Sequence, residues 1–288
     1  MQIGAVYPQM ELQGDPTAVR RIGRAVEDLG FDYLLAYDHV LGAVHADREP
    51  ALPGPYTERD PFHDPFVLFA YLAGITERIG FATGVVVLPQ RQTALVARQA
   101  ADVDLLSGGR LRLGVGVGWN YVEYEALGQD FATRGARQEE QIDLLRRLFT
   151  EPVVDFSGRF DRVDRAALVP MPTRSIPIWL GGRSEKAYDR AARLADGFIF
   201  FSGSLEQAVQ NRQQLLTRVE GLGRSADDFG ADWVPRPPDS VGEHARQLEA
   251  WRSAGGTHAS VTSMGLGLDS VEAHIDYLAS VAKALGLS

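Results

Sequence analysis

Residues Glu77–Asn120, ERIGFATGVVVLPQRQTALVARQAADVDLLSGGRLRLGVGVGWN, read as strand, loop, helix, turn, strand, loop. Phe81–Val87 is a run of β-branched and small residues ending at Leu88-Pro89. Thr93–Ser107 is rich in Ala and Leu and is closed by Gly108-Gly109, and Leu111–Val115 is apolar again before it breaks into Gly116-Val117-Gly118-Trp119-Asn120. Two short, continuous apolar runs joined by a helix are the pattern of a βαβ unit with buried parallel strands.

The same alternation runs through the rest of the chain. Ile3–Tyr7 predicts a first strand, and Asp15-Pro16 supplies a helix start, with Asp as cap and Pro at the first helical position. Tyr33–Ala36 predicts the second strand, with Tyr37-Asp38-His39 at its exit, and Pro65–Gly74 a helix. A polar helical region is expected from Asn120 to Phe149. Later strands are expected at Pro177–Leu180, Gly197–Phe201, Asp232–Val234 and Ala259–Thr262, each followed by a helical span. About eight strand-then-helix repeats in 288 residues predict an α/β fold, a (β/α)8 TIM barrel, whose usual length is near ~250 residues. A doubly wound open sheet is the competing arrangement. The chain reads as one domain over 1–288 with insertions at about 42–64 and 152–176. Val153, Val154, Phe156, Phe160 and Leu168 mark the second as a segment that seeks burial.

Composition narrows the function classes. The chain has no cysteine, which excludes disulfides, thiolate catalysis and Cys-type zinc sites. A net charge of −9 with scattered basic residues argues against a nucleic-acid or anionic-membrane surface. No signal peptide or membrane span is read, so a cytoplasmic protein is expected. The histidines show no H-x-H or H-E-x-x-H spacing, so no metal site is expected.

In a TIM barrel, function sits on the loops after the strand C-termini. The candidates are Tyr37–His39, Gly84–Gln90, Gly116–Asn120, Gly181–Ser184, Phe201–Gly203 and Ser263–Gly267. His39 beside Asp38 suits hydrogen-bond donation or proton transfer, with a structural histidine as the alternative. Gly114-x-Gly116-x-Gly118 fails the dinucleotide fingerprint, because Trp119 stands where the third glycine is needed. Gly181-Gly182-Arg183-Ser184 runs into a helix and suits an anion, with an ordinary serine cap as the alternative.

Taken together, TERIGFATGVVVLPQRQ, ARQAADVDLLSGGRLRLGVGVGWN, PIWLGGRSEKAYDRAARLADGF and THASVTSMGLGLDSVEAHIDYL resemble the bacterial luciferase-like monooxygenase superfamily, and within it the coenzyme F420-dependent oxidoreductase branch. The resemblance implies a cofactor across the strand C-termini, with a non-proline cis bond at Gly84–Val85 against the deazaflavin ring. It implies His39 and Asp38 as the catalytic pair, His39 acting on the substrate and Asp38 setting its orientation. Thr83, Gly84, Val85, Gly116 and Asn120 would bind the cofactor ring or its side chain, with Gly181, Gly182 and Arg183 near its phosphate. The activity implied is hydride transfer between F420 and a small organic substrate. The alternatives are an FMN-dependent two-component monooxygenase and a non-catalytic flavin- or deazaflavin-binding protein. A homodimer and a separate reductase supplying the reduced cofactor are the implied partners. Some sugar-phosphate-oxidising relatives place an acid directly after the residue matching Gly118; Glu123 here is displaced from that place.

Overall fold

The computed structural model describes residues 1–238 and 240–287. Eight parallel strands form the barrel: β1 (Gln2–Val6), β2 (Tyr33–Ala36), β3 (Gly80–Thr83), β4 (Leu111–Gly116), β5 (Ile178–Gly181), β6 (Gly197–Phe200), β7 (Gly230–Trp233) and β8 (His258–Val261). Each pairs with its sequence neighbours, and β8 returns to β1 through Ile3 opposite Ala259, which closes the ring. The helices are α1 (Pro16–Asp28), α2 (Pro65–Ala73), α3 (Thr93–Leu106), α4 (Tyr121–Ala126), α5 (Arg134–Thr150), α6 (Glu185–Leu194), α7 (Leu205–Gly221), α8 (Val241–Ser253) and α9 (Val271–Leu285). Among the described residues, no helix is long and apolar enough to cross a membrane.

Local chemistry sets the helix starts. Asp15 and Asp64 each precede a proline and accept backbone N–H groups of the first turn of α1 and α2. Ser184, Ser204, Ser240 and Ser270 do the same for α6 to α9. The polar region after Asn120 is two helices rather than one, because Gly128 turns the chain at φ +69° and Asp130 caps a short 3-10 turn before α5. The seventh and eighth strands begin two residues and one residue earlier than Asp232 and Ala259, the starts expected from the sequence.

Residues 152–176 form an antiparallel hairpin, Val154–Ser157 against Arg162–Ala166, placed outside the barrel. The Glu140 carboxylate holds its tip by accepting the N–H groups of Arg159, Phe160 and Asp161 at 2.7–2.8 Å. Val154 is buried, but Val153 is 57 % exposed. Val153 lies in the bend before the first hairpin strand, outside the ladder that buries Val154, which corrects the expectation that both are buried. Residues 42–64 contain no helix or strand.

Most of the apolar core lies between strands and helices. A second cluster fills the barrel, from Tyr33 and Trp179 below to Tyr37, Val85, Phe201 and Met264 at the mouth. The floor is polar and paired. The Arg112 guanidinium lies between the Tyr33 and Trp179 rings at 4.4 and 4.2 Å and meets Asp232 at 2.7 Å. Tyr33 donates to the same carboxylate at 2.8 Å. These rings fit only because Gly4, Gly197 and Gly230 face them; a Cβ at those positions would come within 2.2, 2.4 and 2.0 Å of ring atoms.

Burial, then the Arg112 cation, pushes His258 at the edge of this floor down to about 3, and burial pushes His244 in α8 down to about 4. Both rings stay neutral in the fold, whereas the unfolded chain protonates them near ~6.5. Their stabilisation is therefore complete above about pH 6.5 and is lost as pH falls toward those lower values. Urea unfolding at steps from pH 7 to 4.5 should show stability falling, by on the order of 2–3 kcal/mol for each histidine. Replacing His244 with Leu should reduce the slope.

Candidate active site

The segments that follow β2, β3, β4, β5, β6 and β8 meet above the barrel. The chain leaves β3 at Thr83, passes a cis bond at Gly84–Val85 as the resemblance implies, and rejoins β4 with Val86 opposite Val115. Thr83 donates its hydroxyl to the Gly114 carbonyl at 2.6 Å, so its side chain serves this junction. Gly84 packs on Leu35, where a Cβ would come within 2.4 Å. The Val85 side chain projects over Gly116 and Gly181; a Cβ on either would meet its methyl groups at 2.4 and 2.8 Å. Val85, Tyr37, Phe201 and Met264 thus make an apolar rim at the mouth.

His39 stands to one side of this rim within an aromatic box. Its ring lies 4.9 Å from Phe62, 5.3 Å from Tyr56 and 5.4 Å from Trp119. Nδ1 bonds to Glu123 Oε2 at 3.1 Å, and the side chain keeps 9 % of its surface open. Glu123 is fully buried. Its Oε1 accepts the N–H groups of Val40 and Leu41 at 2.7 and 3.0 Å, and Oε2 also accepts from Gln90 Nε2 at 3.3 Å. Burial works to raise the Glu123 pKa, but His39, the Leu41 N–H and Gln90 outweigh it, so the carboxyl sits below the usual range.

Two expected roles change. Asp38 does not orient His39: its oxygens accept the Val87 N–H at 2.9 Å and the Arg91 guanidinium at 2.7 Å. The side chains of adjacent residues point apart at the strand exit, which leaves Glu123, from another loop, as the partner of the ring. Asn120 is also engaged elsewhere. Its Oδ1 caps α4 by accepting from Val122 and Glu123, and its Nδ2 donates to the Leu41 carbonyl at 3.3 Å. The side chain is buried and serves the protein rather than the open rim.

Across the mouth, Gly181 and Gly182 lead to exposed Arg183 and then to Ser184, whose Oγ accepts the Ala187 N–H at 3.2 Å. The remaining N–H groups at the start of α6 point to the same end, beside a cation, and suit a phosphate.

Residues 42–64 lie over the aromatic box as a packed strap. Gly54, at φ +154°, lies flat on the Trp119 indole, where a Cβ would come within 2.3 Å. Tyr121 donates to the Pro50 carbonyl at 2.6 Å, and His45 Nε2 donates to the Tyr56 carbonyl at 2.9 Å. At the far end of the strap, Arg91 bridges Asp38 to Asp64 at 2.7 and 3.0 Å. Sequence reasoning gave Arg91 no place in the site, named Gln90 only as the end of a candidate loop and Glu123 only as an acid displaced from the place some relatives use. The Asn120 cap, which sets the start of α4, is the local signal that could have placed Glu123 in the first turn.

The chain is similar to several known proteins. The family model described as luciferase-like monooxygenase matches residues 3–264. An F420-dependent glucose-6-phosphate dehydrogenase of Intrasporangium calvum is 33 % identical over 210 residues, 69 % of this chain and 58 % of that protein. A pyrimidine monooxygenase of Allorhizobium ampelinum is 31 % identical over 175 residues, 58 % of this chain and 47 % of that protein. Among solved structures, an F420-dependent secondary alcohol dehydrogenase in complex with an F420-acetone adduct superposes with a TM-score of 0.79. It is 16 % identical and covers 99 % of this chain and 98 % of its own, a likeness of fold.

The Asp38–Arg91 pair is closed from water on the Asp38 side. Replacing Arg91 with Ala leaves a buried carboxylate uncompensated, and urea unfolding should show a loss of about 3–5 kcal/mol. A loss below about 1 kcal/mol would mean that the strap is held without this bridge.

Proposed function

The chain belongs to the luciferase-like monooxygenase family, and we propose that it is an oxidoreductase moving a hydride between coenzyme F420 and a small organic substrate. The observation that carries this reading is the rim itself: Val85 seated over two glycines, with His39 on one side and an anion-suited helix start on the other. An apolar, partly buried rim of Tyr37, Val85, Phe201 and Met264 fits a flat tricyclic ring. Gly181, Gly182 and Arg183, with the first N–H groups of α6, would hold its phosphate. Bound there, the cofactor would supply the hydride chemistry.

The residues of the chain supply the rest. Val85, held by its contact with Gly116 and Gly181, would form part of the seat for the ring. His39 donates or takes a proton at Nε2, which has no partner among the described residues. Tyr56, Phe62 and Trp119 exclude water around that nitrogen and favour a substrate with an apolar body. Asp38 acts through the fold, by fixing Val87 and Arg91. A second copy of the chain is part of the proposal, supported by exposed Val67, Tyr71 and Leu95 on the adjacent helices α2 and α3. A separate reductase would recharge the cofactor.

An FMN-dependent two-component monooxygenase is the second reading, favoured by the description of the family and by the likeness to a pyrimidine monooxygenase. FMN shares the flat ring and the phosphate. Fluorescence titration of the purified protein with each reduced cofactor separates the two. F420 is expected to bind at least about tenfold more tightly, a difference of about 1.4 kcal/mol; tighter FMN binding hands the site to the monooxygenase reading. His39→Ala should leave cofactor affinity within about twofold and lower turnover of any substrate found by roughly 10²–10⁴. Unchanged turnover would remove His39 from the chemistry.

A further inference from the structure

Glu123 is a glutamate in the first turn of a short helix, a place where such a residue ordinarily faces solvent and complements the helix dipole. Here it is fully buried, and each of its oxygens has two donors. A carboxylate offers about four acceptor sites, so this one is saturated by protein alone. We infer that Glu123 is the positioning residue of the site, setting which nitrogen of His39 carries the proton and which faces the substrate. The catalytic meaning of this inference rests on the function proposed above; its geometry does not.

The four donors are not equivalent. The N–H groups of Val40 and Leu41 belong to the backbone and can only donate, so Oε1 is committed to them. Oε2, the other oxygen, then faces His39 Nδ1 with an acceptor and nothing else. An ionised carboxylate cannot donate, so Nδ1 must be the protonated nitrogen of the neutral ring. Nε2 is left with its lone pair toward the aromatic box, where it can take a proton from a substrate hydroxyl. Once the ring is charged, Nε2–H can return that proton to a substrate oxygen, and the carboxylate balances the imidazolium. The third member of a catalytic triad works by the same logic, fixing tautomer and orientation without itself changing protonation. The same carboxylate holds the two residues after His39, so the backbone and the ring are set by one group.

Gln90 makes the inference testable. Its Nε2 donates to Glu123, and its Oε1 is buried without a partner. In Glu123→Gln, the amide oxygen must stay on Val40 and Leu41, which places the new NH2 against His39 and Gln90. Gln90 can answer by turning its amide so that its unpartnered oxygen accepts. His39 has only one answer: Nδ1 becomes the acceptor, and the proton moves to Nε2. The substitution thus keeps the loop staple and the helix while reversing the tautomer, which separates positioning from plain structural support.

The test uses the full chain with ¹⁵N-labelled histidine and no cofactor, at a pH of about 8.5 where an unperturbed ring is neutral. Long-range ¹H–¹⁵N spectra report the tautomer, with the His39 signals identified by their absence in His39→Asn. The wild type is expected to show Nδ1–H and Glu123→Gln to show Nε2–H, with urea midpoints within about 0.5 M of each other. Nε2–H in the wild type overturns the proposal even if the variant fails to fold, and so does an unchanged tautomer in a folded variant. Titration of both proteins with reduced F420 and reduced FMN reads the other question. If neither cofactor binds the wild type, the proposed function falls while the tautomer result stands. If binding holds and the tautomer does not reverse, only the role of Glu123 falls.

Discussion

One buried carboxylate with four donors ties together the elements that make the site. Glu123 comes from the first turn of α4, after β4; His39, Val40 and Leu41 follow β2, and Gln90 follows β3. The strands of a barrel hold their own register through the backbone ladder, but their exits are loops with no ladder to fix them. A carboxylate away from water is costly unless every lone pair is met, and meeting them requires three loops to arrive together. The constraint therefore works in both directions: the loops keep the charge tolerable, and the charge keeps the loops in place. Asp38 repeats the device one residue earlier, joining Val87, Arg91 and through it the Asp64 cap of α2.

The barrel itself rests on exchanging side chains for glycine. Large rings at Tyr33 and Trp179 fill the floor because Gly4, Gly197 and Gly230 yield the space, and Val85 rises into the mouth because Gly116 and Gly181 do. Close packing gives little latitude at either level, since a methyl group placed within 2.8 Å of a ring or another methyl must displace something. The shape of the rim follows from which positions on neighbouring strands lack a side chain.

Much of this was legible in the sequence. The strand runs, the Asp-Pro helix starts, the five glycine-marked exits and the place of His39 all follow from local patterns of a few residues. The cis bond at Gly84–Val85 came from resemblance alone. What local patterns did not carry is partnership over long separations. Glu123 lies 84 positions from His39, and a glutamate at the start of a helix looks the same in sequence whether it faces solvent or a buried imidazole. Asp38 beside His39 suggested a pair because the two are adjacent, and strand geometry separates adjacent side chains. The contact of Gly54 with Trp119 was hidden for a related reason: the strap has no periodic pattern, and only the tertiary fold brings it to the indole.

The paired floor of the barrel governs traffic. Arg112, clasped by two aromatic rings and Asp232, closes the lower end with charge and ring stacking together, so no path runs through the barrel along its axis. A molecule that reaches the rim at Val85 does so from the side of the strand C-termini, where the strap lays Gly54 on Trp119. Access from the strand C-terminal side alone is thus a property of the closed floor, independent of which chemistry the mouth performs.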